Sequence, residues 1–502
     1  MKQIKKNQLI EKNHNLSNIN APTWSKLAIF IIIIGISIII FTSYIGSADI
    51  VDYAGVAKFF AGDYQAKIRS SHSYSYGFMN FPLVKIAHSF ILMKIMSIVW
   101  IILIVLSLFY ISKKDKRFLL IALSTPIFWY MAPWISPIQI SSLFFLWAYY
   151  FIREYDEENK VRYLIYSALF AGISLIFWDP ILLFIVLLII CFLYNKKLFH
   201  AVLFAVFLFI GLAPRLILDQ ILFNFAFYSL VKTFAGGFVN SLWKGVTGER
   251  GHASFSLINS LFILVMLPLY SYLILNRKNY KQSNKSVIFI ILSVILILKF
   301  PQIRYTLAIV PIILLNVFPS LTNKQFKIQI TYSLVISLLV LTPYLMQVGH
   351  TTNAPELQSF IINFGHLEIS DEIVDKVVEQ DLINISHDFP NQTFVVGNLD
   401  DSYMYPAMAY WGEDIKEFVS IQDYNLAMEG KAIIFEKEFH PIPNINDRRE
   451  IWIKGGISKT SDDKTDYNAI NFAISEESEI DLNGFKLIKS YKKLNVFDKR
   501  IN

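Results

Sequence analysis

Apolar residues in this chain are concentrated in blocks separated by short polar stretches. Runs that meet or approach the length of a membrane crossing begin near Leu27, Ser89, Phe118, Ile138, Tyr163, Ile181, Leu198, Ser256, Ser286, Tyr305 and Ile328. A hydrocarbon core of about 30 Å needs about 20 apolar helical residues. The pattern therefore predicts a polytopic α-helical membrane protein of about eleven transmembrane helices. The runs after Pro180, Ser286 and Tyr305 are short, which suits burial among other helices or an opening into an aqueous cavity.

The polar stretches set the orientation. Lys and Arg fall in the N-terminal tail, in "KKDKR" at Lys113 to Arg117, and in "REYDEENKVR", "NKK", "NRKNYKQSNK" and "TNKQFK". These alternate with loops poorer in cations, so the N-terminus is expected in the cytoplasm. An odd number of spans then places the chain from about Gln347 onwards outside. The first apolar run is longer than a signal-peptide core and lacks a small-residue cleavage site, which predicts an uncleaved first span.

After residue 347 the pattern changes. Short β-branched runs such as "TFVVGN" and "KAIIFEK" alternate with helix-like stretches such as "ISDEIVDKVVEQDLINI", and "FKLIKSYKKLNVFD" reads as a closing hairpin. The expected organisation is a basic tail over 1–26, a transmembrane domain over 27–347 with an external loop over 46–87, and an extracytoplasmic α/β domain over 348–502.

Composition agrees. Apolar residues make up 54% and charged residues 17%, against about 25% charged in soluble domains. The net charge of +7 comes from the loop clusters and points to membrane topology, not to nucleic acid. A single cysteine, Cys191, excludes an intramolecular disulfide. There is no phosphate-binding P-loop, zinc signature or nucleophile elbow.

Chemistry is expected where ionisable groups gather on the external side. Asp49 and Asp52 follow the first span directly, and a helix from this point would put Asp49, Tyr53 and Ala57 on one face. An Asp there can serve as an ordinary helix cap, but an ionisable group at the membrane boundary is also a functional candidate. The same loop supplies Arg69, His72, Tyr76 and Lys85, cations and hydroxyls that suit a phosphate, with an interfacial headgroup role as the plainer alternative. Asp179 in "FWDP" is placed either to cap the next helix or to meet substrate. Arg215 and Asp219 are four apart, a spacing that allows pairing along one helix. Arg304 sits between two short spans.

These residues resemble the C-type (GT-C) membrane glycosyltransferases, in the branch of the protein O-mannosyltransferases and the aminoarabinose transferase. "DIVDYAGVA" followed by "GDY" is similar to that family's first external loop, with Asp49, Tyr53, Ala54, Ala57, Gly62 and Asp63 in register. "SYSYGFMNFPLVKI", "APRLILDQILFNFAFYSL" and "IRYTLAIVPIILL" resemble later family segments in the same order. Ile50 stands where the family carries a second acidic residue, "FNFAF" lacks its Gly and Pro, and "ISPIQ" lacks its Glu.

The resemblance implies transfer of a hexose or mannose-like sugar from a polyprenyl-phosphate donor to a protein, lipid or glycan acceptor at the external face of the plasma membrane. Asp49 would be the catalytic base with Asp52 in reserve. Arg304 and Arg215, then Lys85, Arg69 and His72, would hold the donor phosphate, and Tyr53, Tyr76 and Asp179 the substrate. No cofactor is required by any motif, and a divalent metal is left open. Two other classes fit many spans without a catalytic motif: a transporter, and a scaffold that displays the C-terminal domain. The lack of repeated halves argues against the first, and the acidic first loop against the second.

Overall fold

The computed structural model describes residues 33–37, 53, 56–57, 60–61, 73–86, 91–194, 196–231, 233, 257–275, 284–299, 303–346, 376–397, 417–428, 435–436, 459–460, 467–480 and 482–500. Each predicted apolar run contains helix. Residues 33–37 are helical, α1 (Tyr74–Ile86) lies within the stretch expected as the external loop, and the later runs hold α2 (Ile91–Ile111), α3 (Lys116–Ser124), α4 (Pro126–Met131), α5 (Ile138–Glu158), α6 (Val161–Phe177), α7 (Ile181–Leu193), α8 (Leu198–Phe223), α9 (Leu257–Met266), α10 (Asn284–Lys299), α11 (Val310–Val317) and α12 (Asn323–Met346). Among the described residues, two helices are long and apolar enough to cross a bilayer on their own, over Leu92–Ile111 and Leu198–Leu222.

Proline explains why other runs are broken. The run expected from Phe118 is two helices, because Pro126 forces Thr125 out of helical geometry (φ −69°, ψ 124°). The interruption frees carbonyls that have no water to turn to, and side chains take them. Thr125 Oγ1 donates to Ile121 O at 2.7 Å, Trp129 Nε1 to Leu123 O at 2.7 Å, and Ser337 Oγ of α12 to Ser124 O at 2.8 Å. The run near Tyr305 is likewise a 3-10 turn over Ile303–Ala308 followed by the short α11, with Pro311 in its first turn.

The helices share one apolar core running from α2 through α12. Some polar groups inside it are paired. Asn316 of α11 donates to the Tyr149 hydroxyl at 2.8 Å and to Ile312 O at 2.7 Å. Long apolar side chains such as Val202, Val206 and Ile210 on α8 point outward, as lipid-facing positions require.

The C-terminal part is a mixed five-stranded sheet in the order β2-β1-β5-β7-β6, from β1 (Thr393–Val396), β2 (Glu417–Ser420), β5 (Phe472–Ser475), β6 (Lys486–Ser490) and β7 (Asn495–Asp498). A separate pair joins β3 (Phe435–Glu436) to β4 (Lys459–Thr460). β1 runs parallel to β2 and β5, while β6 and β7 form the antiparallel hairpin expected from the closing sequence. The two-residue period of a strand sorts the side chains. Phe394, Val396, Phe472, Ile474 and Val496 face Leu382 and Ile385 of α13 (Lys376–Asp388). Val395, Ala473 and Phe497 face the other way, towards Tyr424 of α14 (Ile421–Met428). The cluster on the α13 side also contains Tyr53, Ala57, Tyr76, Val84 and Met93, so the sheet sits against the first loop and α1.

Candidate functional site

Three helix ends build the site. α6 stops where Trp178 turns extended (φ −139°, ψ 115°), and Asp179 and Pro180 lead into α7. α8 packs closely along α6, which brings Arg215 beside the last turn of α6. Arg215 is entirely buried. Its Nη1 donates to Leu175 O at 2.9 Å and forms an ion pair with Asp179 Oδ1 at 2.6 Å. Its Nε donates to Ser229 Oγ at 2.9 Å. Among the described residues, Arg215 Nη2 has no hydrogen-bond partner.

Ser229 extends the network. Its hydroxyl and backbone N–H both donate to Asp219 Oδ2, at 2.6 and 2.9 Å. Thr233 Oγ1 lies 3.2 Å from Asp179 Oδ2 and 3.0 Å from Ser229 O. The arrangement differs from both simple readings of the sequence. Arg215 pairs with Asp179, which lies on the far side of α7 in the chain, and reaches Asp219 only through Ser229. Asp179 does not cap α7 with its side chain, because that carboxylate is turned to Arg215. The helix-spaced pair loses because the last-turn carbonyls of α6 carry partial negative charge, and an arginine there serves a carbonyl and a carboxylate at once.

The same turn recruits the first loop. Ser73 Oγ donates to Ile176 O at 2.5 Å. The Trp178 ring meets Tyr305 edge to face at 5.1 Å, and the half-buried Arg304 lies 6.0 Å from the Tyr305 ring centroid. Tyr53 and Tyr76 are buried and also meet edge to face, at 5.2 Å. Val56 packs with Tyr74 and Tyr228, against Leu218 and Leu222 of α8. Gly77 permits this, since a Cβ there would fall 2.4 Å from Val56 Cγ1.

The structure thus gathers Asp179 and Arg215 directly, places Arg304 two rings away, and pairs Tyr53 with Tyr76. Lys85 stands apart, exposed on the last turn of α1 above Phe81. Asp49, Asp52, Arg69 and His72 lie outside the described residues. Two residues escaped the sequence reading. Ser229 is the link between Arg215 and Asp219; it is also the Ser of the "YSL" that closes the "APR" segment. Lys94 is buried in the first turn of α2, beside the Met93 that packs with the Tyr53–Tyr76 cluster. Its signal was present, as a lone lysine within an apolar span is a functional flag. Among the described residues, no group of three His, Cys, Asp or Glu side chains is placed to hold a metal.

No family model matches the chain, and no curated protein matches it in sequence. Solved structures do. ArnT from Cupriavidus metallidurans bound to undecaprenyl phosphate superposes with a TM-score of 0.59 over 96% of this chain and 99% of its own, at 11% identity. The fold is that of ArnT. The apo state of ArnT gives 0.54 over 96% and 98%, again at 11% identity.

Proposed function

We propose that the chain is an integral membrane glycosyltransferase that moves a sugar from a polyprenyl-phosphate donor to an acceptor at the face opposite the basic loops. The observation that supports this best is the Arg215–Asp179 network. It concentrates buried charge at the helix ends beneath the first loop, in a chain with the fold of a protein solved with undecaprenyl phosphate. Fold alone does not fix activity; a buried guanidinium with one nitrogen unbonded among the described residues, in an ArnT-like fold, is the more specific sign.

In the proposed reaction, an acceptor hydroxyl oxygen attacks the anomeric carbon. The bond from that carbon to the phosphate oxygen breaks, its electron pair leaves with the polyprenyl phosphate, and the hydroxyl proton passes to Asp49, with Asp52 in reserve. Arg304, half-exposed, meets the phosphate. Arg215, fully enclosed, fixes Asp179 and the α6 end and turns Nη2 to the donor. Tyr53 and Tyr76 shape the loop around the sugar, which we take to be a neutral hexose.

The test is turnover with a panel of polyprenyl-phosphate sugars in nanodiscs. Asp49→Asn is expected to bind donor and lose about 10²–10⁴-fold in rate, the range of a general base. Arg304→Ala is expected to raise the donor KM more than the acceptor KM. Full turnover in Asp49→Asn removes that residue from the mechanism, and absence of binding to every donor overturns the assignment.

A further inference from the structure

The C-terminal end of α6 is held from three directions. A helix leaves its last four carbonyls without intrahelical donors. Three of them at the end of α6 are taken by side chains, each from a different element. Ser141 Oγ of α5 donates to Ser174 O at 2.9 Å, Arg215 Nη1 of α8 to Leu175 O at 2.9 Å, and Ser73 Oγ of the first loop to Ile176 O at 2.5 Å. Ser73, Ser141 and Arg215 are all buried.

Ser73 does more than cap a helix. Its oxygen accepts the backbone N–H of Ser75 at 3.2 Å, the bond expected of a serine that precedes a helix, here α1. That bond uses a lone pair and leaves the hydroxyl proton to spend elsewhere. Here the proton is committed to α6, 103 positions away in the chain.

Tyr74 makes a second link, packing with Val56 and Tyr228. Arg215 is held by Leu175 O and Ser229 Oγ. Ser73 and Tyr74 hold Ile176 and Tyr228, the chain neighbours of those two residues. The start of α1 and the guanidinium therefore rest on the same two pieces of backbone. Two residues beyond Tyr74, Tyr76 meets Tyr53.

We propose that Ser73 is a positioning residue for sugar transfer, whose hydroxyl latches the Tyr53–Tyr76 side of the site to the Arg215 side and sets the distance between them. This role rests on the transferase reading above. Ser73 itself touches neither sugar nor phosphate; it acts through Tyr76 and the end of α6. The latch governs turnover and not donor affinity. Without it Arg215 keeps Leu175 O, Ser229 and Asp179, whereas a misplacement of about 1 Å on the other side can cost on the order of 10²-fold in rate.

Threonine and valine have nearly the same shape and differ in the hydroxyl, so Ser73→Thr against Ser73→Val reads the hydrogen bond. The full-length protein in nanodiscs gives kcat, with the polyprenyl-phosphate sugar that the wild type turns over best, and Kd for polyprenyl phosphate. Ser73→Thr is expected to stay near the wild-type kcat. Ser73→Val is expected to lose at least tenfold in kcat, and Ser73→Ala, which adds no bulk, to lose as much. The Kd for polyprenyl phosphate is expected to be unchanged in all three. Equal kcat in the Thr and Val variants, or full kcat in Ser73→Ala, overturns the latch. So does a loss of polyprenyl-phosphate affinity in step with kcat, which is what a general loosening of the fold would give. A wild type that turns over no donor overturns the transferase reading and this role with it; an active wild type beside a fully active Ser73→Ala overturns this role alone.

Discussion

Gly172 of α6 and Gly211 of α8 hold their helices so close that neither position has room for a methyl group. A Cβ at Gly172 would lie 2.1 Å from Leu208 O, and one at Gly211 would lie 2.4 Å from Leu169 O. Arg215 comes one turn after Gly211 and Leu175 one turn after Gly172, so the glycine contact sets the reach of the guanidinium.

Gly211→Ala is therefore expected to destabilise the protein. Alanine gains about 1 kcal/mol of helix propensity over glycine, but the overlap is with a backbone carbonyl that cannot swing away. Overpacking costs about 1–3 kcal/mol, and this is expected to win. A lower melting temperature in detergent, together with reduced turnover, checks it. An unchanged melting temperature would show that α6 and α8 can separate freely.

The Arg215–Asp179 pair invites a double-mutant cycle. Removing one partner of a buried pair strands the other charge, a loss of about 3–5 kcal/mol. Asp179→Asn and Arg215→Gln are each expected to lower stability by that order. The double variant is expected to be less damaged than the sum. An amide at position 215 can still donate a hydrogen bond towards Leu175 O, and an amide at position 179 leaves no charge stranded. Additive losses would show that the two side chains act independently.

In the sheet, Asp381 of α13 is buried and accepts the backbone N–H groups of Lys493 and Leu494 at 2.7 and 3.1 Å. It pins the tip of the β6–β7 hairpin. Asp381→Ala is expected to cost about 1–3 kcal/mol, the penalty of unmet buried donors. Faster hydrogen exchange over residues 486–498 is the signature to look for.

A pH dependence follows from the neighbouring Asp388. Lys489 Nζ donates to its carboxylate at 2.6 Å and the Tyr491 hydroxyl donates to the same oxygen, which holds its pKa below the usual carboxylate range. A depressed carboxylate adds stability above its unfolded pKa of about 3.9 and loses it as pH falls through the folded value. The sheet is expected to loosen below about pH 4, an effect that Asp388→Asn flattens. Both partners are partly exposed, so salt is expected to weaken it. Proteolysis rates on either side of that pH read it out.

The sequence pattern carried the helices well, because long apolar runs admit few alternatives. The β6–β7 hairpin and the α13 helix were legible for the same reason of period. Partners across helices were not. Spacing showed Asp219 within reach of Arg215, but the choice of Asp179 depends on how closely α6 and α8 approach, which Gly172 and Gly211 decide and no local pattern reveals. The break at Thr125 was readable from Pro126, whereas the donors that repair it, Trp129 and Ser337, come from packing. Lys94 was overlooked because hydropathy averages a single cation away.

The broken runs also bear on how this chain enters the bilayer. α3 has nine residues and α4 six, and a carbonyl freed between them is satisfied by a hydroxyl of α12, 213 positions later. During synthesis that hydroxyl does not yet exist. The break between α3 and α4 is therefore sealed at Ser124 only by a long-range contact, and the native hydrogen bonding of that turn depends on α12 being in place.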